Sequence, residues 1–204
     1  MAAAPDRAGS AALGRLAGFA GRPVAWLHQL HGAGVVALAQ GGSARGRGED
    51  GDALVTSGPE ALAIMTADCA PVALASPEGV VAAVHAGWRG LAAGVVQATV
   101  AQMRSMGATV IEAALGPCIR AGCYGFDGPE LDQLTHRFGA SIRSESPSGR
   151  PALDLPATVA AALDAAGASL VHDAGVCTAC AEERFFSYRA RGERQRQAMV
   201  VWKP

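Results

Sequence analysis

No stretch of the chain stays apolar for the roughly 20 residues that a bilayer crossing needs, and its opening residues lack the charged-then-apolar layout of an export signal. A cytoplasmic protein that does not enter membranes is therefore expected. An excess of one charge is also missing. The 17 basic and 18 acidic residues leave a net charge of -1, so no basic field exists to favour nucleic acid or an anionic lipid surface. A small neutral or anionic molecule is the expected partner. Asparagine is absent and Lys203 is the only lysine, a bias that reflects codon usage rather than chemistry. Because alanine is abundant and raises helix propensity everywhere, apolar periodicity and Gly/Pro punctuation carry more information than propensity. The five cysteines are an odd number without an export signal. That pattern suits thiols acting as ligands or nucleophiles in a reducing compartment rather than a disulfide framework.

What is present suffices for one core. At 204 residues, half of them hydrophobic, the chain builds one sizeable domain and not two. Residues 1–22 give no firm element, and 23–204 read as a single catalytic domain. Short β-like runs fill the first half: 24–27, 34–39, 53–56, 62–66, 72–75 and 80–85. Ser76-Pro77-Glu78-Gly79 joins the last two as a hairpin turn, and 41–52 reads as a mobile surface loop near the site mouth. Leu91, Val95, Val96, Val100 and Met103 form one stripe of a single helix that stops at Gly107. Helices follow at 129–138 and 155–166, with strands at 109–115, 170–176, 185–188 and 197–202. Hairpins mixed with crossovers predict an α/β fold, a single domain of layered mixed β-sheets flanked by helices.

Chemistry concentrates at strand ends. Thr66-Ala67-Asp68-Cys69-Ala70-Pro71 and His85-Ala86-Gly87-Trp88-Arg89-Gly90 place a thiol and an imidazole at the ends of neighbouring strands, and Gln29-Leu30-His31-Gly32 adds a second imidazole. Two histidines and one thiolate with a fourth position open is a coordination set of catalytic zinc. Taken singly, each is as well read as a semi-buried structural side chain. Jointly, their Gly, Asp and Pro neighbours mark loops that carry chemistry on a rigid scaffold. His31 is favoured over His28, which an odd number of steps sets on another face of an extended segment. His136 and His172 have no companions. Asp68 reads as an anchor for the site or as a proton carrier. Arg89, beside the start of a helix, reads as an anion binder near His85 or as a solvent-facing side chain. Ser187 and Arg189 form a further polar pair after Phe185 and Phe186. Cys118-x4-Cys123 with Cys177-x2-Cys180 offers a rival, closed tetrahedral zinc site.

These motifs resemble, in order over about residues 24–202, a bacterial family once described as multicopper polyphenol oxidase or laccase-domain proteins and later as purine nucleoside phosphorylases with adenosine deaminase activity. The resemblance rests on Gln29 to Gly32, Asp52-Ala53-Leu54-Val55-Thr56, residues 66–71, His85 to Gly90, Leu115 to Ile119, Asp154-Leu155, Cys177-Thr178 and Phe185 to Arg189. It implies zinc held by His31, Cys69 and His85, and a layered fold of mixed sheets like that of cysteine hydrolases. With the residue readings above, catalysis is expected from Cys69, His85 and Asp68, and substrate binding from Arg89, Ser187 and Arg189. The implied substrates are phosphate and purine nucleosides, namely adenosine, inosine, guanosine and 5'-methylthioadenosine, and a monomer is expected. A copper oxidase would need a multi-histidine cluster that this chain lacks. Departures from the family are the short stretch before Gln29, Tyr124-Gly125 in place of a Tyr-Glu pair, and Gln195 to Met199 in place of Gly-Arg-Met, with Arg194 or Arg196 as the stand-in. Two alternatives keep the residues but change the role. One is a metal-free cysteine hydrolase acting on amides of cell-wall precursors with Cys69 as nucleophile, and the other is a non-catalytic binding or editing module.

Overall fold

The computed structural model describes residues 7–38 and 47–203, with side chains in the first helix from residue 14 onward. Helix α1 (Arg7–Ala20) precedes β1 (Val24–His28), β2 (Val35–Leu38), β3 (Arg47–Asp50) and β4 (Ala53–Thr56). Then come β5 (Ala61–Thr66), β6 (Ala70–Ala75), β7 (Val81–Ala86), α2 (Trp88–Ala93) and α3 (Val95–Ser105). The second half holds β8 (Glu112–Leu115), α4 (Pro129–Phe138), β9 (Arg143–Glu145), β10 (Pro151–Leu153), α5 (Leu155–Ala166), β11 (Ser169–Asp173), α6 (Tyr188–Arg191) and β12 (Gln197–Val201).

β6 and β7 lie at the centre of a six-stranded mixed sheet ordered β11-β8-β6-β7-β4-β2. Every residue of β7 is buried, as in a strand covered on both faces. Successive side chains of a strand point to opposite faces, and the packing follows that rule. Ala53, Val55, Ala82 and Val84 meet Val96, Val100 and Met103 of α3 and Val159 and Leu163 of α5. Leu54, Val81 and Ala83 instead face Ala25, Leu27, Leu62 and Ile64 of a second, four-stranded sheet ordered β12-β5-β1-β3. Leu54, Leu62 and Ile64 are fully buried, and each contributes about 1.5–3 kcal/mol to holding the sheets together. Beyond the second sheet, Leu16 and Ala17 of α1 cover Val24, Ala61 and Ala63. Four layers result, helix on sheet on sheet on helix, the layered mixed α/β architecture expected from the pattern. Among the described residues no helix is long and apolar enough to cross a membrane.

Several expectations change. The stripe from Leu91 to Met103 is two helices, because Gly94 takes φ 93, a left-handed conformation that glycine adopts without strain. Arg137 donates to the Ala92 carbonyl at this break. Of the segment 41–52 expected as a loop, residues through 46 and also Ala39 lie outside the described residues. Arg47–Asp50 is a strand paired in parallel with β1, held by backbone bonds that its charged sequence does not advertise. β9 and β10 form a small hairpin within a stretch given no element. Helix α1 likewise lies in the segment 1–22, which carried no firm signal. Residues 185–188 are not a strand: Ser187 caps the short helix α6, accepting from the Ala190 amide. The hairpin at 76–79 is present, with β6 and β7 antiparallel over their full length.

Candidate metal centre

The polypeptide brings three strand ends to one point. His31 follows β1 of the small sheet, Cys69 immediately precedes β6, and His85 lies near the end of β7. One donor atom from each of His31, Cys69 and His85 lies within 4.8 Å of the others. The two imidazoles meet edge to face, their centroids 4.7 Å apart.

Asp52 organises this meeting. It sits just before β4, is 1% exposed, and its carboxylate accepts the amides of Gly32 at 2.7 Å, His31 at 2.8 Å and Leu30 at 3.3 Å. Those bonds hold His31 at φ 61, a region that non-glycine residues seldom occupy. Upstream, the Gln29 side chain donates to the Met65 carbonyl and accepts the Met65 amide. It thereby extends the ladder between β1 and β5 past the last residue of β1. The same Asp52 carboxylate bonds His85 Nδ1 at 2.8 Å, which leaves Nε2 as the free ring nitrogen. A carboxylate that fixes the tautomer and orientation of a ligating histidine is a recurrent support of metal sites. Space for the sulfur comes from Gly87, where a Cβ would lie 2.9 Å from Cys69 Sγ and 3.4 Å from the His31 ring.

Electrostatics match the geometry. Burial opposes the Cys69 thiolate, but hydrogen bonds from His31 and His85 outweigh it and bring the thiol from 9.0 to about 6. Burial likewise opposes the His85 cation, and bonds to Asp52 and Cys69 carry the imidazole from 6.5 up to about 9. Asp52 is held below the ordinary carboxylate value, its burial outweighed by the His85 bond and the backbone amides. The pair is thus a thiolate beside an imidazolium when no cation is bound. A divalent cation held by these donors would take the place of the imidazolium proton as the positive charge between them. Two imidazoles and one thiolate with an open position suit a borderline-soft ion such as zinc.

The other expected residues surround this centre. Asp68 is buried with φ 96. One carboxylate oxygen accepts the Thr178 hydroxyl at 2.7 Å and the other accepts the Arg189 amide at 2.6 Å, while its carbonyl accepts the Ile119 amide. With both oxygens engaged, Asp68 ties three loops together, an arrangement that suits the anchor reading of the sequence. Ser187, expected at the substrate, is fully buried and spends its hydroxyl on the α6 cap. Arg189 and Arg89 are exposed. The Arg189 guanidinium lies over the Tyr124 ring at 5.0 Å, and that of Arg89 over Trp88 at 4.4 Å. Phe126 joins these rings edge to face, 5.3 Å from Trp88 and 5.5 Å from Tyr124. Burial, followed by the nearby Cys69 charge, pushes the Tyr124 hydroxyl up to about 12, so it remains a donor. His28 is exposed and pairs with Asp50. His136 and His172 are exposed and stand outside the group.

Sequence reasoning quoted Asp52 only as part of a motif and gave it no role, although it contacts both histidine segments. Its signal is a carboxylate opening an otherwise apolar strand. The rival four-cysteine site is also altered. Cys123, Cys177 and Cys180 form a second group with donors within 4.8 Å of one another, but Cys118 is not among them. Its thiol lies in the core, where burial pushes it up to about 12. All five cysteines are free thiols.

Residues 7–204 match the family model described as multi-copper polyphenol oxidoreductase laccase. A purine nucleoside phosphorylase of Pseudomonas aeruginosa is 36% identical over 182 residues, covering 87% of this chain and 73% of that protein. One of Streptomyces coelicolor is 40% identical over 185 residues, covering 88% and 74%. The crystal structure of a Neisseria meningitidis protein of the DUF152 family superposes with TM-score 0.86 at 33% identity, over 98% of this chain and 82% of that one. YlmD from Geobacillus stearothermophilus superposes with TM-score 0.78 at 31% identity, over 94% and 78%. A match over nearly the whole chain, relatives above the 30% level and the same fold leave one conclusion: the chain belongs to the multi-copper polyphenol oxidoreductase laccase family.

Proposed function

We propose that this protein is a zinc-dependent purine nucleoside phosphorylase that also deaminates adenosine, acting on adenosine, inosine, guanosine and 5'-methylthioadenosine. The observation that carries the reading is the convergence of His31, Cys69 and His85 within 4.8 Å, with His85 Nδ1 fixed by Asp52. The names borne by relatives at 36% and 40% identity supply the substrate class. A zinc ion held by these three donors supplies Lewis acidity at its open position.

The chain's own residues do the rest. Asp52 keeps the His85 proton on Nδ1, so Nε2 presents a lone pair. Arg189 and Arg89 lie at the two ends of the Tyr124–Phe126–Trp88 aromatic run. Either guanidinium offers paired donors to an anion such as phosphate, and the aromatic run between them suits the flat face of a purine. Asp68 sets the Arg189 backbone through a 2.6 Å bond and so positions that cation. An exposed site lined by donors that stabilise developing negative charge fits transfer of a ribosyl group to phosphate.

The test is purified protein, assayed for metal and incubated with adenosine and phosphate. Adenine with ribose 1-phosphate, or inosine with ammonia, is the expected outcome, lost in Cys69→Ala. Zinc-loaded protein that forms neither would refute the reading. Activity retained in zinc-free protein and abolished by alkylation of Cys69 would transfer the assignment to thiol nucleophilic chemistry.

A further inference from the structure

The second group of thiols lies outside the centre just described. Cys123 comes from the turn after Cys118, and Cys177 and Cys180 from the turn before α6. Cys123 Sγ and Cys180 Sγ are 3.3 Å apart, and all three sulfurs lie within 4.8 Å of one another. Zinc–sulfur bonds of ~2.3 Å at tetrahedral angles would set sulfurs about 3.8 Å apart, inside that range. No cation and no carboxylate belongs to the group.

A second observation concerns Cys177 alone. The backbone amides of Arg120, Cys180 and Ala179 are aimed at its sulfur. Two of those amides belong to the residues two and three positions further on, so the Cys177-Thr178-Ala179-Cys180 turn wraps its own N–H groups around the first sulfur. Amides aimed at a sulfur stabilise it as a thiolate, the form that binds metal. Half-buried Cys177 and exposed Cys180 also leave an entry path, which buried Cys118 lacks.

We infer that Cys123, Cys177 and Cys180 form a second metal site, a three-thiolate seat for a thiophilic divalent cation such as zinc with its fourth position open to solvent. Binding releases the three thiol protons as the three metal–sulfur bonds form. The seat is structural in effect. It clamps the turn at 121–123 to the turn at 177–181, next to the backbone β-bridge that pairs residues 118 and 177 and the Thr178 amide bond to the Cys118 carbonyl. Thr178 in turn holds Asp68, so the seat braces the carboxylate that positions Arg189.

Cobalt(II) titration of Cys69→Ala protein tests the site with the first centre disabled, so the outcome does not depend on the proposed activity. One equivalent of cobalt with sulfur-to-metal charge-transfer absorption is expected. It should be lost in Cys69→Ala/Cys180→Ser and in Cys69→Ala/Cys123→Ser, and retained in Cys69→Ala/Cys118→Ala. Because Cys180 is exposed, its replacement removes the sulfur without opening the core, and circular dichroism checks the fold. X-ray absorption of the zinc form of Cys69→Ala should count three sulfurs. Absence of the charge-transfer band, its survival in both serine variants, or a mass lower by two hydrogens from a Cys123–Cys180 disulfide in freshly purified protein would overturn the inference.

Discussion

Replacing Asp52 by Asn removes one negative charge from a carboxylate that touches both histidine segments. Its oxygens accept three backbone amides and His85 Nδ1, and an asparagine side chain offers one oxygen and one NH2 in the same volume. If the NH2 faces Leu30 and Gly32, buried donors oppose one another, at about 1–3 kcal/mol for each unsatisfied group. If it faces His85, it donates to Nδ1 and drives the imidazole proton to Nε2, the nitrogen otherwise free for metal. Either orientation is costly because the site is 1% exposed and water cannot compensate. Loss of such an outer support lowers metal affinity about 10–100-fold, or ~1.4–2.8 kcal/mol. Zinc affinity by chelator competition and urea unfolding of metal-free protein would measure the two effects separately. Asp132→Asn is the control: its exposed carboxylate pairs with Arg143 and with no ligand segment, so zinc affinity should move by less than about threefold, ~0.65 kcal/mol. Asp52→Asn binding zinc as tightly as wild type would refute the role given to Asp52.

Gly87→Ala puts a methyl group 2.9 Å from Cys69 Sγ at an ordinary φ of -77. Zinc affinity should therefore fall by about tenfold, ~1.4 kcal/mol, while far-ultraviolet circular dichroism stays unchanged; an unaltered affinity would contradict the packing. In metal-free protein, thiolate absorbance should vanish as pH falls through about 6, and His85→Ala should move that transition up toward 9. The lowered Cys69 value contributes stability that is present above 9.0 and lost as pH falls through about 6. The raised His85 value contributes stability that is present below 6.5 and lost as pH rises through about 9. The two slopes cancel between about 6.5 and 9, because folding moves one proton from sulfur to imidazole. Over that window the pair should leave unfolding free energy flat, and a steep slope that disappears in Cys69→Ala would refute the assignment.

Much of this was legible in the chain. Helices at 129–138 and 155–166 announce themselves by a Pro in the first turn and a Gly after the last, and His31, Cys69 and His85 by their places at strand ends. The remainder depends on partners far away in sequence. Asp52 gains its role only through the register that sets Ala53 opposite Val84, which no local pattern encodes. Arg47–Asp50 has no apolar alternation and is a strand because β1 offers it backbone bonds. Phe185 and Phe186 suggest β structure by type, yet the Ser187 cap and Gly192 at φ 67 close a helical turn there. Cysteine spacing pointed to a site but not to its membership, since the fold turns the Cys118 sulfur into the core and leaves it out of the group that Cys123, Cys177 and Cys180 form.

Asp52 belongs to the six-stranded sheet, yet three of the amides it grips lie in the loop that leaves the four-stranded one. Its carboxylate therefore works as a bolt between two slabs whose facing surfaces meet through non-directional apolar contact. Sliding one slab against the other would withdraw His31 from Cys69 and His85 at once, so the spacing of the donors gauges how well the halves are seated. A cation bound there would resist that sliding, and chelation should be felt first as looser docking between the layers.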